Sequence, residues 1–116
     1  MSFDLVWQTR ARQTFDDLMA EAESAVKQRQ NKSGGKSSRA EGLFKQVFKC
    51  IQLLAVNPRH PGLHTREFHS LANPYDKNQK VFEAYAQNRT AGAYRVFWCY
   101  GPGKDQITII AITPHP

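Results

Sequence analysis

Hydrophobic and polar residues follow a helical period in the first half of this chain and a twofold period in the second half. "FDLVW" (Phe3 to Trp7) is a short apolar stretch that predicts a first strand. Two segments with apolar residues at helical spacing follow it and predict two helices. Their core-facing stripes comprise Phe15, Leu18, Met19, Ala22, Ala25 and Val26 in the first, and Leu43, Phe44, Val47, Phe48, Ile51 and Leu54 in the second.

Polar signals mark the ends of the two predicted helices. "QNKSGGKSS" (Gln30 to Ser38) predicts the turn between them, because two glycines and several polar residues interrupt the pattern. Ser38 and Glu41 have the spacing of a capping box, which predicts that the second helix begins there. Asn57-Pro58 predicts its end. We therefore expect an antiparallel helical hairpin.

Four stretches after the hairpin predict strands by their twofold period. The first, "REFHSL", is weak, and the last, "ITIIAIT", is apolar on both faces, as is typical of an interior strand. The order β-α-α-β-β-β-β predicts an α+β fold, with the hairpin packed on one face of a curved antiparallel sheet. The length of 116 residues fits a single domain, residues 1–116. The predicted strands after "REFHSL" are Lys80 to Asn88, Ala93 to Tyr100 and Ile107 to Thr113.

Composition narrows the class of protein. Hydrophobic residues make up 41% of the chain and charged residues 22%, which is typical of a globular domain. No stretch reaches the roughly 18 apolar residues of a membrane span, and the N-terminus has no apolar core of a signal peptide, so we expect a cytoplasmic protein without a membrane partner. Cys50 and Cys99 each lie in an apolar element without CxxC spacing, which predicts two buried thiols and neither a disulfide nor a metal site.

Basic residues are concentrated in one segment. The net charge is +6, and seven basic residues lie between Lys27 and Lys49 against one acidic residue, Glu41. A concentrated basic patch favours an acidic partner, such as nucleic acid or an acidic protein segment. The same pattern is also typical of a solvated helix face that only keeps a domain soluble. The charge alone leaves both alternatives open.

Arg95 lies in the middle of an otherwise apolar predicted strand, "AYRVFWCY". A guanidinium is costly to bury unless it is paired or faces a groove that binds anions. Alternation of side chains places Arg95 on the side opposite Tyr94 and Val96. If those two face the helices, Arg95 faces the other side of the sheet, which we expect to be open.

Other polar residues could share that face with Arg95. Glu83, Tyr85 and Gln87 alternate along the preceding strand, and His115 follows the last strand. A carboxylate, a phenol, an imidazole and an arginine suffice for phosphodiester cleavage, in which a base takes the 2′-hydroxyl proton, an acid protonates the leaving oxygen and the arginine stabilises the phosphate. A cross-strand Arg–Glu pair is equally a common structural device. The residues alone favour the structural role.

The chain resembles the RelE/ParE toxin superfamily of bacterial type II toxin–antitoxin systems. The helical hairpin, "NPRHPGL", "AYRVFW" and a final apolar strand ending in "TPHP" carry the resemblance, in order and over nearly the whole length. Its most specific element is Tyr94-Arg95-Val96, a short turn before the last strand. The resemblance implies a helical hairpin on a curved antiparallel sheet.

The resemblance also implies roles for individual residues. Members with RelE-like activity cleave mRNA in the ribosomal A site and need neither metal nor cofactor. Arg95 matches the strand arginine that contacts the scissile phosphate. His115 lies where some members place a catalytic histidine, although YoeB-like chains follow it with tyrosine and this chain has Pro116. RelE carries lysines where this sequence has Glu83 and Tyr85.

The identity of the general base stays open at this point. A YoeB-like glutamate lies on the loop before the strand, where this chain has His60, His64, Arg66 and Glu67. The candidates are therefore two carboxylates, Glu83 and Glu67, and two imidazoles, His64 and His115.

The resemblance implies two macromolecular partners. One is a cognate antitoxin with an acidic segment, and the other is the ribosome with its mRNA. Phosphate contacts dominate RNA binding, so the basic residues could dock the chain on RNA. The residues predicted to bind RNA or the ribosome are Lys36, Arg39, Lys45, Lys49, His64, Arg66 and Lys80. Two alternatives are a ParE-like toxin that binds and poisons DNA gyrase and a catalytically inactive member.

Overall fold

The predicted helices and strands are all present in the computed structural model, which describes residues 2–31, 38–88 and 91–114. The fold is α+β, as predicted, with two helices on a five-stranded sheet. The predicted turn between the helices lies mostly outside the described residues. The elements are β1 (Asp4–Trp7), α1 (Thr9–Asn31), α2 (Arg39–Val56), β2 (Arg66–Glu67), β3 (Phe82–Tyr85), β4 (Tyr94–Tyr100) and β5 (Gln106–Pro114).

The strand order in the sheet is β1-β5-β4-β3-β2. Three neighbouring pairs are antiparallel, as predicted, and the pair of β1 with β5 at one edge is parallel, which the prediction did not include. A parallel pair needs a long crossover, which the two helices and the intervening strands supply. Periodicity identifies strands without giving their direction, so the sequence pattern could not reveal this pairing.

The main hydrophobic core lies between the helices and one side of the sheet, which we call the helix face. Tyr94, Val96 and Trp98 of β4 lie on this face, as alternation predicted. Trp98 is almost fully buried and stacks on Phe82 of β3 with ring centroids 4.9 Å apart. The other buried members come from the helices, the segment before β2, and β3 and β5: Ala11, Phe15, Leu18, Val47, Cys50, Ile51, Leu54, Leu63, Ala84, Ile107, Ile109 and Ile112.

The opposite side of the sheet, the far face, is only partly open, which corrects the expectation of an open surface. Phe97 is 2% exposed because Phe68 covers it, with ring centroids 4.6 Å apart. Buried residues on the far face form a second, smaller hydrophobic cluster that includes Phe97. Because the pairing register shifts between Phe97 and Trp98, Ile110 and Ala111 of β5 both belong to this cluster. Burial of Phe97 also excludes it as a stacking platform for a nucleic-acid base.

The start of α2 is a capping box, as predicted. The Ser38 hydroxyl accepts from the Glu41 backbone N–H, and the Glu41 carboxylate accepts from the Ser38 N–H. The carboxylate also accepts from the Arg29 guanidinium near the end of α1. Glu41 therefore joins the two helices of the hairpin.

Phe48 was predicted to lie in the core, but it lies at the edge of the apolar stripe of α2 and is 43% exposed.

We expect Glu41→Gln to lower the melting temperature at pH 7 and to have little effect near pH 2. The hydrogen bond from Arg29 is the largest cause that lowers the Glu41 pKa from 4.5 to about 2, so folding favours the ionised carboxylate. The resulting stabilisation is present above the unfolded pKa and is lost as the pH falls toward 2. Glutamine still caps the helix but cannot form the ion pair.

Thermal unfolding of the two proteins between pH 2 and pH 7 measures this difference. Glu23→Gln removes an exposed carboxylate of α1 and is the matched control. A difference between wild type and Glu41→Gln that stays constant over the whole range would contradict the role of the ion pair.

The two cysteines are buried free thiols, as predicted. Cys50 lies in α2 and Cys99 in β4. Burial raises the pKa of Cys50 to about 12 and that of Cys99 to about 11. Since the thiolate is the reactive form, both thiols are poor nucleophiles at neutral pH and serve packing. No helix within the described ranges is both long and apolar enough to cross a membrane.

Candidate active site

Arg95 lies in the central strand of the sheet and points to the far face. Its backbone registers with Tyr85 of β3 on one side and with Thr113 of β5 on the other. Paired residues on neighbouring strands project to the same face, so Tyr85 and Arg95 lie together. The sequence prediction that these two share a face is confirmed. Arg95 is only 8% exposed, however, so it lies in a recess of the face.

The Arg95 guanidinium is held by one aromatic ring and three backbone carbonyls. Its central carbon lies 3.6 Å from the centre of the Tyr85 ring, a close cation–π contact. Nη1 donates to the carbonyls of Gln87 at 2.8 Å, Tyr94 at 3.3 Å and Ala93 at 3.4 Å. Nε is buried and has no hydrogen-bond partner among the described residues. These contacts, all made by Nη1 and the plane of the guanidinium, fix the side chain in the recess.

Glu83 lies on the same face and pairs with Arg66. The two residues register across β2 and β3, and the Arg66 Nε donates to the Glu83 carboxylate. The Glu83 side chain is 1% exposed, whereas that of Arg66 is 59% exposed. The hydrogen bond to Glu83 raises the pKa of Arg66 above its ordinary value. A buried carboxylate thus anchors an exposed guanidinium beside Tyr85.

His64 completes the cluster from the loop before β2. Its ring centroid lies 5.4 Å from that of Tyr85. His64 adopts a left-handed backbone conformation (φ 49°) at the end of a short 3₁₀ turn, Pro61–Leu63, where its N–H donates to the Pro61 carbonyl at 3.2 Å. His64 is exposed, so an imidazole is available to solvent next to the ring that contacts Arg95.

Two other predicted catalytic residues are not part of this cluster as described. Glu67 registers with Phe82, which places it on the opposite side of β2 from Arg66. Its carboxylate accepts from Lys80 at 2.8 Å, and this hydrogen bond lowers the Glu67 pKa. Glu67 therefore does not share a face with Arg95. His115 lies outside the described residues.

The residues predicted to bind RNA fall into two groups. Arg39, Lys45 and Lys49 are exposed on α2, whereas Lys36 lies outside the described residues. Lys45 and Lys49 are four residues apart and share one side of the helix. Arg66, His64 and Lys80 lie on or near the edge of the sheet formed by β2 and β3.

A groove of about 460 Å³ runs between α2 and β3, and we call it the α2–β3 groove. Sequence reasoning did not find it, because its walls come from segments far apart in the chain. Tyr85 belongs both to this groove and to the Arg95 cluster, so the two are adjacent. Its lining includes Gln46, Lys49, Cys50, His60, Gly62 and Tyr85.

Within the described ranges, no group of three or more histidine, cysteine, aspartate or glutamate side chains is placed to hold a metal ion. The candidate site contains two guanidiniums, a phenol, a carboxylate and an imidazole. In chemical terms, such a set can bind an anion and transfer a proton.

The fold of the chain is similar to that of several solved structures. The chain is similar to a chain of the archaeal RelE–RelB complex from Pyrococcus horikoshii OT3, with a TM-score of 0.56 and 12% identity over 98% of this chain and 96% of the other. It is also similar to the YoeB dimer from Staphylococcus aureus (TM-score 0.57, 8% identity, 100% of both chains). A third similar structure is the YoeB/ParE toxin from Agrobacterium tumefaciens (TM-score 0.51, 8% identity, 97% and 99%).

These similarities show that the chain has the RelE/ParE-like toxin fold. The resemblance seen in the sequence is confirmed at the level of the fold. No protein-family model matches the sequence, and no curated protein matches it significantly.

Proposed function

We propose that this chain is the toxin of a type II toxin–antitoxin system and acts in the cytoplasm as a ribosome-dependent endoribonuclease that cleaves mRNA without a metal. The observation that carries the proposal is the far-face cluster, in which Arg95 contacts Tyr85, Tyr85 contacts His64, and Glu83 holds Arg66. Neighbours with the same fold are RelE and YoeB toxins, which supports the toxin role.

The cluster fits the chemistry of RNA cleavage by its own 2′-hydroxyl. In this reaction the 2′-oxygen attacks the adjacent phosphorus, the bond from phosphorus to the 5′-oxygen breaks, and a 2′,3′-cyclic phosphate and a 5′-hydroxyl result. Negative charge increases on the phosphate oxygens in the transition state. Arg95 and Arg66 would stabilise it, since a planar guanidinium suits phosphate oxygens.

Proton transfer needs one group to accept the 2′-hydroxyl proton and another to supply a proton to the 5′-oxygen. Exposure and contact with Tyr85 favour His64 as one of these groups. Burial of Glu83 beneath Arg66 favours a positioning role, in which the carboxylate aims the guanidinium. Glu67 and His115 stay candidates from the sequence alone.

An acidic antitoxin is the proposed protein partner. The neighbour from Pyrococcus horikoshii is a RelE–RelB complex, and the net charge of +6 suits an acidic segment.

Purified ribosomes programmed with a defined mRNA test the proposal directly. We expect the wild-type protein to cleave mRNA at A-site codons and to leave the same mRNA intact when ribosomes are omitted. The products should carry 2′,3′-cyclic phosphate and 5′-hydroxyl ends. Cleavage at equal rates with and without ribosomes, or no cleavage at all, would overturn the proposal.

One observation favours a second function, that of a ParE-like toxin that binds DNA gyrase without catalysis. Arg95 is 8% exposed, and its Nη1 donates to three carbonyls, as expected of an arginine that braces the β3–β4 connection. Controlled expression separates the two functions. Gyrase poisoning induces a DNA-damage response and filamentation, whereas mRNA cleavage stops translation first. Normal growth with abundant folded protein would indicate an inactive member.

A further inference from the structure

The α2–β3 groove has a lining that suits a polyanion. Lys49 supplies a cationic amine from α2, and Gln46 adds a side-chain amide beside it. Among the described residues that line the groove, none is aspartate or glutamate. Its volume of about 460 Å³ lies within the range of roughly 300 to 1,000 Å³ for pockets that hold small molecules.

His60 contributes a hydrogen-bond donor with a fixed orientation. Its Nδ1 accepts from the Gly62 backbone N–H at 3.0 Å. A nitrogen that accepts cannot carry the proton, so the neutral ring is protonated at Nε2. Gly62 also sets the position of the ring, because a Cβ at residue 62 would lie 3.0 Å from Nδ1 and 3.1 Å from Cε1. Among the described residues none accepts from Nε2, so its N–H is an unused donor on a half-buried ring that lines the groove.

The groove continues into the candidate active site through one shared residue. Tyr85 lines the groove and also contacts the Arg95 guanidinium at 3.6 Å. Tyr85 is the last residue of β3, so the groove and the far-face cluster meet at the end of that strand.

We propose that the α2–β3 groove binds the single-stranded RNA segment next to the scissile phosphate, with Lys49 contacting a phosphate and the His60 Nε2–H donating to a phosphate or base acceptor. This inference rests on the proposed function and adds His60, Gln46 and Gly62 to its binding surface. Both Lys49 and His60 act in binding and not in the chemical step.

Binding of a short RNA without ribosomes tests the groove separately from cleavage. The probe is a fluorescein-labelled single strand of roughly 10 nucleotides, a length within the site sizes of single-strand binders. Its 2′-oxygens are methylated so that cleavage by the 2′-hydroxyl is blocked. Fluorescence anisotropy at several salt concentrations gives the Kd and its salt dependence for the wild-type protein and its variants.

The first pair of variants tests the charge. Lys49→Gln should weaken binding and reduce the slope of log K against log salt by about 0.7, the value for one phosphate contact with a single strand. Lys27→Gln makes the same charge change at an exposed site of α1 outside the groove lining and should leave the slope unchanged. Equal effects of the two variants would mean diffuse attraction and would overturn the groove assignment.

The second set of variants tests the His60 donor. His60→Asn keeps an acceptor for the Gly62 N–H and removes Nε2, while Gly62→Ala keeps the histidine and displaces its ring. Each should weaken binding by about 2-fold to 10-fold, the size of one net hydrogen bond. Gly42→Ala, where a Cβ meets nothing within 4 Å, is the control for Gly62→Ala and should bind like wild type.

Three outcomes separate the test of RNA binding in the groove from the test of nuclease activity. Weaker binding in the groove variants with normal controls supports the groove. Wild-type affinity in the groove variants, or no binding by the wild-type protein, overturns it. Groove-dependent binding by a protein that fails to cleave mRNA on ribosomes supports the groove and overturns the nuclease function.

Discussion

Replacing Arg95 with alanine is expected to lower the rate of ribosome-dependent mRNA cleavage by about 10² to 10³-fold, the typical loss when one preorganised donor to a developing oxyanion is removed. The guanidinium is preorganised because the Tyr85 ring and the carbonyls of Gln87, Tyr94 and Ala93 hold it in place. Single-turnover cleavage on saturating ribosomes measures the effect on the chemical step.

Two controls distinguish catalysis by Arg95 from support of the fold. Arg95→Lys keeps a positive charge but loses the planar donors that match phosphate oxygens, so it should recover little activity. Thermal unfolding of each variant shows whether the protein stays folded under the assay conditions. If a folded Arg95→Ala protein cleaved mRNA at the wild-type rate, the arginine would have only a structural role between the strands. That result would agree with the non-catalytic alternative.

Replacing His64 with asparagine is expected to lower cleavage by about 10² to 10⁴-fold, the usual contribution of a positioned proton-transfer group. Asparagine removes the imidazole beside Tyr85 and tolerates the left-handed backbone of residue 64 (φ 49°) better than alanine does. The pH profile of the chemical step should also lose one limb, because one titrating group has been removed. Single-turnover rates over a range of pH measure both effects.

His69→Asn is the matched control for His64→Asn. His69 is an exposed histidine that follows β2, and its Nε2 lies 3.9 Å from the carboxylate of Glu67, which does not share a face with Arg95. This variant should cleave at the wild-type rate. A pH profile for His64→Asn with both limbs intact and a small loss of rate would exclude His64 as a proton-transfer group and leave Glu67 and His115 as the candidates to test.

Part of the candidate site could be predicted because it depends on local alternation. Tyr94-Arg95-Val96 lies in one strand, so the position of Val96 on the helix face puts Arg95 on the other face. The same argument applies to Tyr85, which lies within the predicted strand Lys80 to Asn88. Tyr85 and Arg95 come together because β3 pairs with β4. These two strands follow one another in the chain, so this pairing was the simplest one to expect.

The remaining contacts of the site depend on where distant segments pack. Glu83 registers with Arg66, and a shift of one residue would have brought Glu67 to that face instead. Phe68 covers Phe97 because the segment between β2 and β3 folds back over the far face. The hydrophobic pattern of that segment is weak, so it did not predict where the segment lies. The fixed Nδ1 acceptor of His60 depends on the backbone of Gly62, which side-chain patterns do not describe.

The sequence by itself determined the elements of this protein: the hairpin of two helices, the capping box at Ser38, the strands and the side of β4 on which Arg95 lies. These features follow from residues close together in the chain, where periodicity and propensity act. The tertiary structure decided the parallel pairing of β1 with β5, the partner of Glu83 and the groove next to Tyr85. Each of these depends on contacts between residues far apart in the chain, which are set by packing of the whole domain.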